Sequence, residues 1–464
     1  MFDLHELSAS AGTALPPELS RRGFLRGLAG ASAAAGLVEG AAEAAQESLR
    51  AIAGLDAATP EAEYWAKVRS EFMITDELAF MNNGTLGPMP KPVFYTVVEN
   101  YRALACDPAG PNAAMSDRGE EVRKKSASFL GAEPDEIAVT RNTTEGMSFI
   151  ANGLDLKAGD EVLLTFHEHP GGLQPWKLKA KRTGVVLKEL RFPIPTPEPA
   201  AILDIFNDAI TPRTRVISVS HITYQTGCGV PVKELAALAR SKGILMLVDA
   251  AHPLGMMKLD LHDLGVDFYA MSPHKWLDAP TGTGLLYLRR ESQERVWPTV
   301  ASTGWDGRDG TGKLDETRNN AMRFDRLSQR SWPLVLAQGA ALDFQNAIGR
   351  EKIEARVRAL HARLRERLQA IPGVKIYTSA HSALHCALLG FTLDGRLNKD
   401  VVETLLRRHH VRVRSTEYDL NTVRASTHYY NTEAQVDRLA EGIADVFKRG
   451  VIPAPPPRAT GDEE

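Results

Sequence analysis

Two short apolar runs, residues 244–248 and 266–271, constrain this chain more than any other feature. Each is followed at once by polar side chains. The first delivers Asp249 and then His252; the second delivers Ser272, His274 and Lys275. Continuous apolar runs of this kind suit parallel strands covered on both faces, and open sheets of that type hold ligands at the carboxyl ends of their strands. The pattern recurs upstream. Strands are expected at Ile137–Thr140, 161–166, 184–190 and 215–220, separated by helical stretches of about ten to fifteen residues. That alternation implies right-handed crossovers and a largely parallel sheet, an α/β fold.

With 464 residues, 43% of them apolar, the chain can build two or three domains with sizeable cores. Its net charge of −3 and the lack of a basic block argue against a nucleic-acid partner. Three scattered cysteines, Cys106, Cys228 and Cys386, show neither metal spacing nor a disulfide framework, so no metal is expected. At the N-terminus, Ser20-Arg-Arg-Gly-Phe-Leu-Arg26 precedes a small apolar run over 28–38 and then Ala42-Glu-Ala44. Ser-Arg-Arg-x-Phe-Leu resembles the twin-arginine (Tat) export signal, whose machinery carries folded proteins to the periplasm. The alternative is an amphipathic helical extension. The apolar run is too short to span a membrane, and no span is expected in the mature chain. The expected division is a signal region at 1–45, an N-terminal segment and large domain at 46–335, a small C-terminal domain at 336–452, and a disordered tail at 453–464.

Candidate chemistry sits at the strand ends. A carboxylate and a lysine placed like Asp249 and Lys275 suit pyridoxal phosphate: the amine makes a Schiff base, and the carboxylate keeps the pyridine nitrogen protonated. The same spacing fits a helix-capping aspartate and a solvated loop lysine. Thr143 and Thr144 open a helix, where hydroxyls, free amides and the dipole bind phosphate, or where a threonine merely caps. His169, before Pro-Gly-Gly, can lie against a planar ring or be an ordinary loop histidine. The turn after Phe80 carries Asn82 and Asn83 towards a ligand or is a plain loop.

Six motifs recur in one order: Thr143-Thr-Glu145, Glu168-His169 with Pro175-Trp176, Ser220-His221-Ile-Thr, Val248-Asp-Ala-Ala-His252, Ser272-Pro-His-Lys275, and Val423-Arg-Ala-Ser-Thr-His-Tyr-Tyr-Asn-Thr432. Together, over about residues 80–447, they resemble the class V aminotransferases of fold type I, the group containing cysteine desulfurases and isopenicillin N epimerase. The resemblance implies a homodimer binding pyridoxal 5′-phosphate, with a large domain built on a mostly parallel sheet and a smaller C-terminal α+β domain. It implies Lys275 as the Schiff-base lysine, Asp249 as partner of the pyridinium nitrogen and His169 stacked on the ring. Thr144, Ser272 and His274 would hold the phosphate with Thr143. Tyr224 and His252 would also line the cofactor. Arg424 would bind the substrate carboxylate, with Asn83 beside the substrate, and Thr303 would reach a neighbouring subunit's phosphate.

The departures bear on the reaction. Desulfurases carry a cysteine on the loop before the closing arginine motif; here residues 414–422 have none. They tend to have asparagine where Tyr224 stands and glutamine where His252 stands. The expected reaction is therefore racemisation or epimerisation at Cα of an amino acid or small peptide, with transamination and carbon–sulfur lysis as alternatives. A non-catalytic cofactor-binding protein is a further alternative, one with no use for Arg424. Lys275 can serve one face of Cα, so epimerisation needs a second proton carrier, for which His169 and Tyr224 are the candidates. If the export reading holds, Arg21→Lys combined with Arg22→Lys should retain the protein in the cytoplasm. Unchanged periplasmic amounts after fractionation would exclude the twin-arginine route.

Overall fold

The computed structural model describes residues 41–55, 58–302, 304–308, 311–313, 320–327, 329–416 and 420–455. The twin-arginine stretch, Thr303 and the acidic end of the tail lie outside the described residues.

The large sheet is built from β1 (Ile137–Thr140), β2 (Glu161–Thr165), β3 (Val186–Leu190), β4 (Thr214–Ser220), β5 (Leu245–Ala250), β6 (Phe268–Met271) and β7 (Gly284–Leu288). Their order across the sheet is β1-β7-β6-β5-β4-β2-β3. All pairings are parallel except those made by β7, which runs against both β6 and β1. Successive side chains enter opposite cores: Met246 and Val248 join one cluster, Leu247 the other. Both faces are covered, which is why these strands read as unbroken apolar runs. Helix α1 (Thr143–Gly153) lies tightly on the sheet, since a Cβ at Gly146 would sit 2.9 Å from the Cβ of Ala270.

The small domain holds an antiparallel sheet of β8 (Val374–Ile376), β9 (Leu388–Leu393), β10 (Arg414–Ser415) and β11 (Val423–Ser426), in the order β10-β11-β9-β8. Helices Arg350–Gln369, Asn398–His409 and Glu433–Arg449 pack against it through Leu360, Leu364, Leu405, Val436 and Ile443. The chain divides at Val413, which leaves Arg414–Ser415 in this sheet. Val411–Arg412 pairs in parallel with Ala79–Phe80 instead, and Ala79 and Met81 enter the small-domain core. A boundary drawn at 335 therefore leaves out an N-terminal piece of the small domain. The elements that went unread include the helix Lys91–Cys106 and strand β7. The helix Gly110–Leu130 carries Pro111 in its first turn, where its missing N–H costs nothing. Among the described residues no helix is long and apolar enough to cross a membrane.

Replacing Gly146 with leucine should force α1 off the sheet and cost about 1–3 kcal/mol. A denaturant melt with an unchanged midpoint would show that the helix can shift freely.

Candidate active site

The carboxyl ends of β1 and β6 meet at a cluster of hydroxyls. Asn142 caps α1 through its side-chain oxygen, which accepts from the Glu145 amide at 2.9 Å. Thr143 Oγ1 lies 2.7 Å from Ser272 Oγ, and the Thr143 amide donates to that same serine oxygen at 3.3 Å. Thr144 faces the start of α2 (Pro170–Thr183): a Cβ at Gly171 would lie 2.4 Å from Thr144 Oγ1. Glycine leaves that space open. The His274 ring lies near the Thr283 carbonyl at 3.4 Å, and burial, aided by Lys275, takes its pKa down to about 4. Hydroxyls and the positive end of the helix form an anion cradle.

Asp249, near the end of β5, is buried and accepts from the Ala251 amide at 3.0 Å. Burial raises its pKa, while that amide and the charge of Lys275 oppose the shift. A Cβ at Gly172 would approach Asp249 Oδ2 to 3.0 Å, so the two glycines let α2 begin against both Thr144 and Asp249. Glu168 stands behind them, bonded by the hydroxyls of Thr165 and Ser220, the latter at 2.8 Å. Burial, with Asp249 nearby, pushes its pKa up to about 7.

Lys275 is a half-buried ammonium. Desolvation brings its pKa down to about 8, helped by Arg424 and Arg414 and opposed by Asp249. Arg424, on β11, donates to the Tyr224 carbonyl at 3.1 Å and to Thr85 Oγ1 at 2.9 Å. Its Nε has no partner, and among the described residues no carboxylate pairs with it. Burial and the neighbouring Arg414 bring it down to about 9. Arg414 also donates to Thr85 Oγ1, at 3.3 Å. A cleft with two guanidiniums and an ammonium but so little negative charge is prepared for an anionic ligand.

Two histidines have defined proton positions. His169 caps α2, its Nδ1 accepting from the Gly171 amide at 3.0 Å, so the neutral ring carries its proton on Nε2. Its pKa is lowered by desolvation within the cleft and by the charges of Lys275, Arg424 and Arg414, although the residue as a whole is exposed. The ring of Tyr224 meets it edge-on, centroids 4.9 Å apart at 88°. His252 Nδ1 accepts from Trp276 Nε1 at 3.1 Å, and its Nε2 is buried without a partner.

Asn83 differs from expectation. Its amide donates to Asp278 Oδ1 at 3.2 Å and to the Lys275 carbonyl at 3.3 Å, and its oxygen accepts from Tyr430. Fully buried, that side chain finds internal partners and braces the backbone behind Lys275 rather than facing substrate. The same turn does reach the site, but through Thr85 and Asn82, which approaches Arg424 at 3.4 Å. Sequence reasoning also left Glu168, Arg414 and Trp276 without roles, although each directly adjoins a residue or loop it had singled out.

A phosphorylated pyridine aldehyde fits this donor set. The glycine-lined cradle by Thr143, Thr144 and Ser272 suits its phosphate, Asp249 its ring nitrogen, Lys275 its aldehyde, and the partnerless His252 Nε2 a ring oxygen.

Comparison with known proteins agrees. The Aminotransferase class-V family profile matches residues 81–439. The chain is 34% identical to isopenicillin N epimerase of Amycolatopsis lactamdurans, over 83% of this chain and 99% of that protein. It is 31% identical to cysteine desulfurase of Cronobacter sakazakii, over 82% and 98%. Among solved structures, C-DES with glycine covalently linked to its PLP cofactor superposes with a TM-score of 0.73 at 26% identity, covering 81% of this chain and 99% of that one.

In the cofactor-free chain, the rate at which an amine-reactive reagent acylates Lys275 should rise through a midpoint near 8. Burial disfavours the ammonium, so the reactive free amine accumulates at lower pH than for an exposed lysine, and Arg424→Ala should move the midpoint up by removing a like charge. A midpoint at the ordinary lysine value of about 10.4 would mean that water reaches the ammonium.

Proposed function

The chain belongs to the class V aminotransferase family, and from that membership we propose that it is an epimerase or racemase acting at Cα of an amino acid or small peptide. The family's cofactor is pyridoxal 5′-phosphate, and the chain is a pyridoxal-phosphate-dependent enzyme of fold type I. When bound, the cofactor supplies an electron sink that stabilises negative charge at Cα.

The chain's own residues divide the remaining work. Arg424 holds the substrate carboxylate with a charge-assisted pair, bidentate where geometry allows. Lys275, its pKa close to neutral, takes and returns the Cα proton on the face it occupies. The observation that carries the epimerase reading is the pairing of His169 with Tyr224 beside Arg424. His169 is neutral with a proton on Nε2, and the Tyr224 ring meets it edge-on. An imidazole N–H beside a phenol hydroxyl suits a second proton carrier for the opposite face.

Cysteine placement supports the same reading. Cys228 and Cys386 are buried, and desolvation pushes their thiols up to about 11 and about 12. Cys106 is exposed on the helix Lys91–Cys106. Neither buried thiol resembles an activated thiolate that could accept sulfur. Carbon–sulfur lysis is the second reading, favoured by the likeness to the cystine C–S lyase C-DES, whose complex with its product cysteine persulfide superposes with a TM-score of 0.72. The reading includes a homodimer, with Thr303 reaching the partner's cofactor phosphate, and export of the folded, loaded chain by the twin-arginine route.

In deuterated water, substrate recovered from the enzyme should carry deuterium at Cα with inverted configuration, while the cofactor remains in its aldehyde form. Accumulation of a keto acid with the amine form of the cofactor would establish transamination instead. Pyruvate with a released persulfide or thiol would establish the lyase. Lys275→Ala should fold and lose nearly all exchange.

A further inference from the structure

We infer that Trp276 is a positioning residue: its indole N–H keeps His252 as a neutral imidazole whose proton sits on Nε2, a donor reserved for an anionic oxygen of the bound ligand. The inference rests on cofactor binding and is independent of which reaction the enzyme performs.

An indole N–H can only donate, so the 3.1 Å bond from Trp276 Nε1 requires a lone pair on His252 Nδ1. The proton of the neutral ring is thereby assigned to Nε2, which is buried and has no acceptor. The cationic ring would carry protons on both nitrogens and would break this bond. The charged and titratable groups facing His252 are Lys275, Arg424 and His169. Two are cations and the third is a histidine, so none provides an anionic acceptor for the Nε2 proton. The acceptor must therefore arrive with the ligand: the ring oxygen of the cofactor or a carboxylate oxygen of the substrate.

Trp276 is held firmly enough to impose this state. It is fully buried, and its ring stacks on His428 with centroids 5.5 Å apart at 22°. Its carbonyl accepts from Gln345 Nε2 at 2.7 Å and lies 3.3 Å from His428 Nε2. The loop that carries His252 is tied to the same backbone. Gly255 adopts a φ of +87°, and a Cβ there would meet the Trp276 carbonyl carbon and oxygen at 2.4 Å. A side chain at 255 would push the imidazole and the indole apart.

The first test is nitrogen NMR of the cofactor-free wild-type chain labelled in histidine, with the His252 signals assigned by their loss in His252→Gln. The expected spectrum has an unprotonated Nδ1 and a protonated Nε2, unchanged across about pH 6 to 8, the range in which an ordinary histidine titrates. A proton on Nδ1, or titration within that range, overturns the inference. The second test uses Trp276→Phe, which keeps the aromatic stack and removes the N–H, in the loaded enzyme. The pH midpoint of the cofactor absorbance should move by about half a unit or more, a roughly threefold change in the acid constant. In a His252→Gln background the same substitution should move it little, because an amide donates without a tautomer to fix. If the oxygen belongs to the substrate, that dependence on His252 will appear in KM rather than in the absorbance. Equal effects in both backgrounds, or no effect on either quantity, would show a merely structural tryptophan. Should Trp276→Phe fail to fold, the wild-type spectrum still decides.

Discussion

Uncompensated positive charge out of water is the condition around which this molecule is arranged. Arg424 is buried with Lys275 half-buried near it, the arginine has no carboxylate partner among the described residues, and Arg414 adds to the field. Burying a charge without a partner is costly. Part of the cost is met by weakening the charge itself, as the lowered pKa of the lysine shows, and part by carbonyls and hydroxyls such as Tyr224 O and Thr85 Oγ1. The remainder is left for ligand anions. A phosphate and a carboxylate would supply what the protein withholds, which makes ligand binding and charge compensation one event.

The fold serves that condition by bringing backbone very close to the charged groups. Gly171 and Gly172 admit α2 against Thr144 and Asp249, Gly84 lies against the Arg424 guanidinium, and Gly87 against the Lys275 carbonyl. At each of these positions a side chain would collide with a functional group or its backbone. Such crowding excludes water, and exclusion of water is what shifts the lysine and makes each polar contact count. Behind the site, Asn83, Asp278, Tyr429 and Tyr430 bond mainly to one another and to the Lys275 backbone. That closed set fixes the lysine loop from the rear and leaves the front to the ligand.

Much of this was legible in the residues. The runs ending at Thr140, Ser220, Asp249 and Ser272 announced parallel strands because both of their faces are covered, and the polar residue after each run announced a ligand side. The antiparallel β7 was not legible, since only the lysine loop, with no crossover helix, lies between it and β6. The helix Lys91–Cys106 was obscured by its start, Lys-Pro-Val-Phe-Tyr, and by a largely half-exposed surface. Asn83 was placed in the right turn with the wrong orientation, because a loop sequence does not say which way a side chain points. The contact between Trp276 and His252 joins two loops after different strands, and no local pattern records such a meeting. Residue type and strand position carried the first contacts of the site. Their supports were set by tertiary packing.

The pairing of Ala79–Phe80 with Val411–Arg412 bears on how the chain acquires its structure during synthesis. The two partners are separated by roughly 330 residues, so the first sits without its mate while nearly the whole large domain is made. At common ribosomal rates of about 5–20 residues per second, that interval is on the order of tens of seconds. The large domain can collapse in this time around its own mostly local crossovers, but the small-domain core cannot close, because Ala79 and Met81 belong to it and β11 does not yet exist. Arg424 lies on β11, so the guanidinium end of the cleft is assembled last, after the lysine and the hydroxyl cluster are already in place. A nascent chain of this kind would pass through a stage that has one half of its cleft without the other.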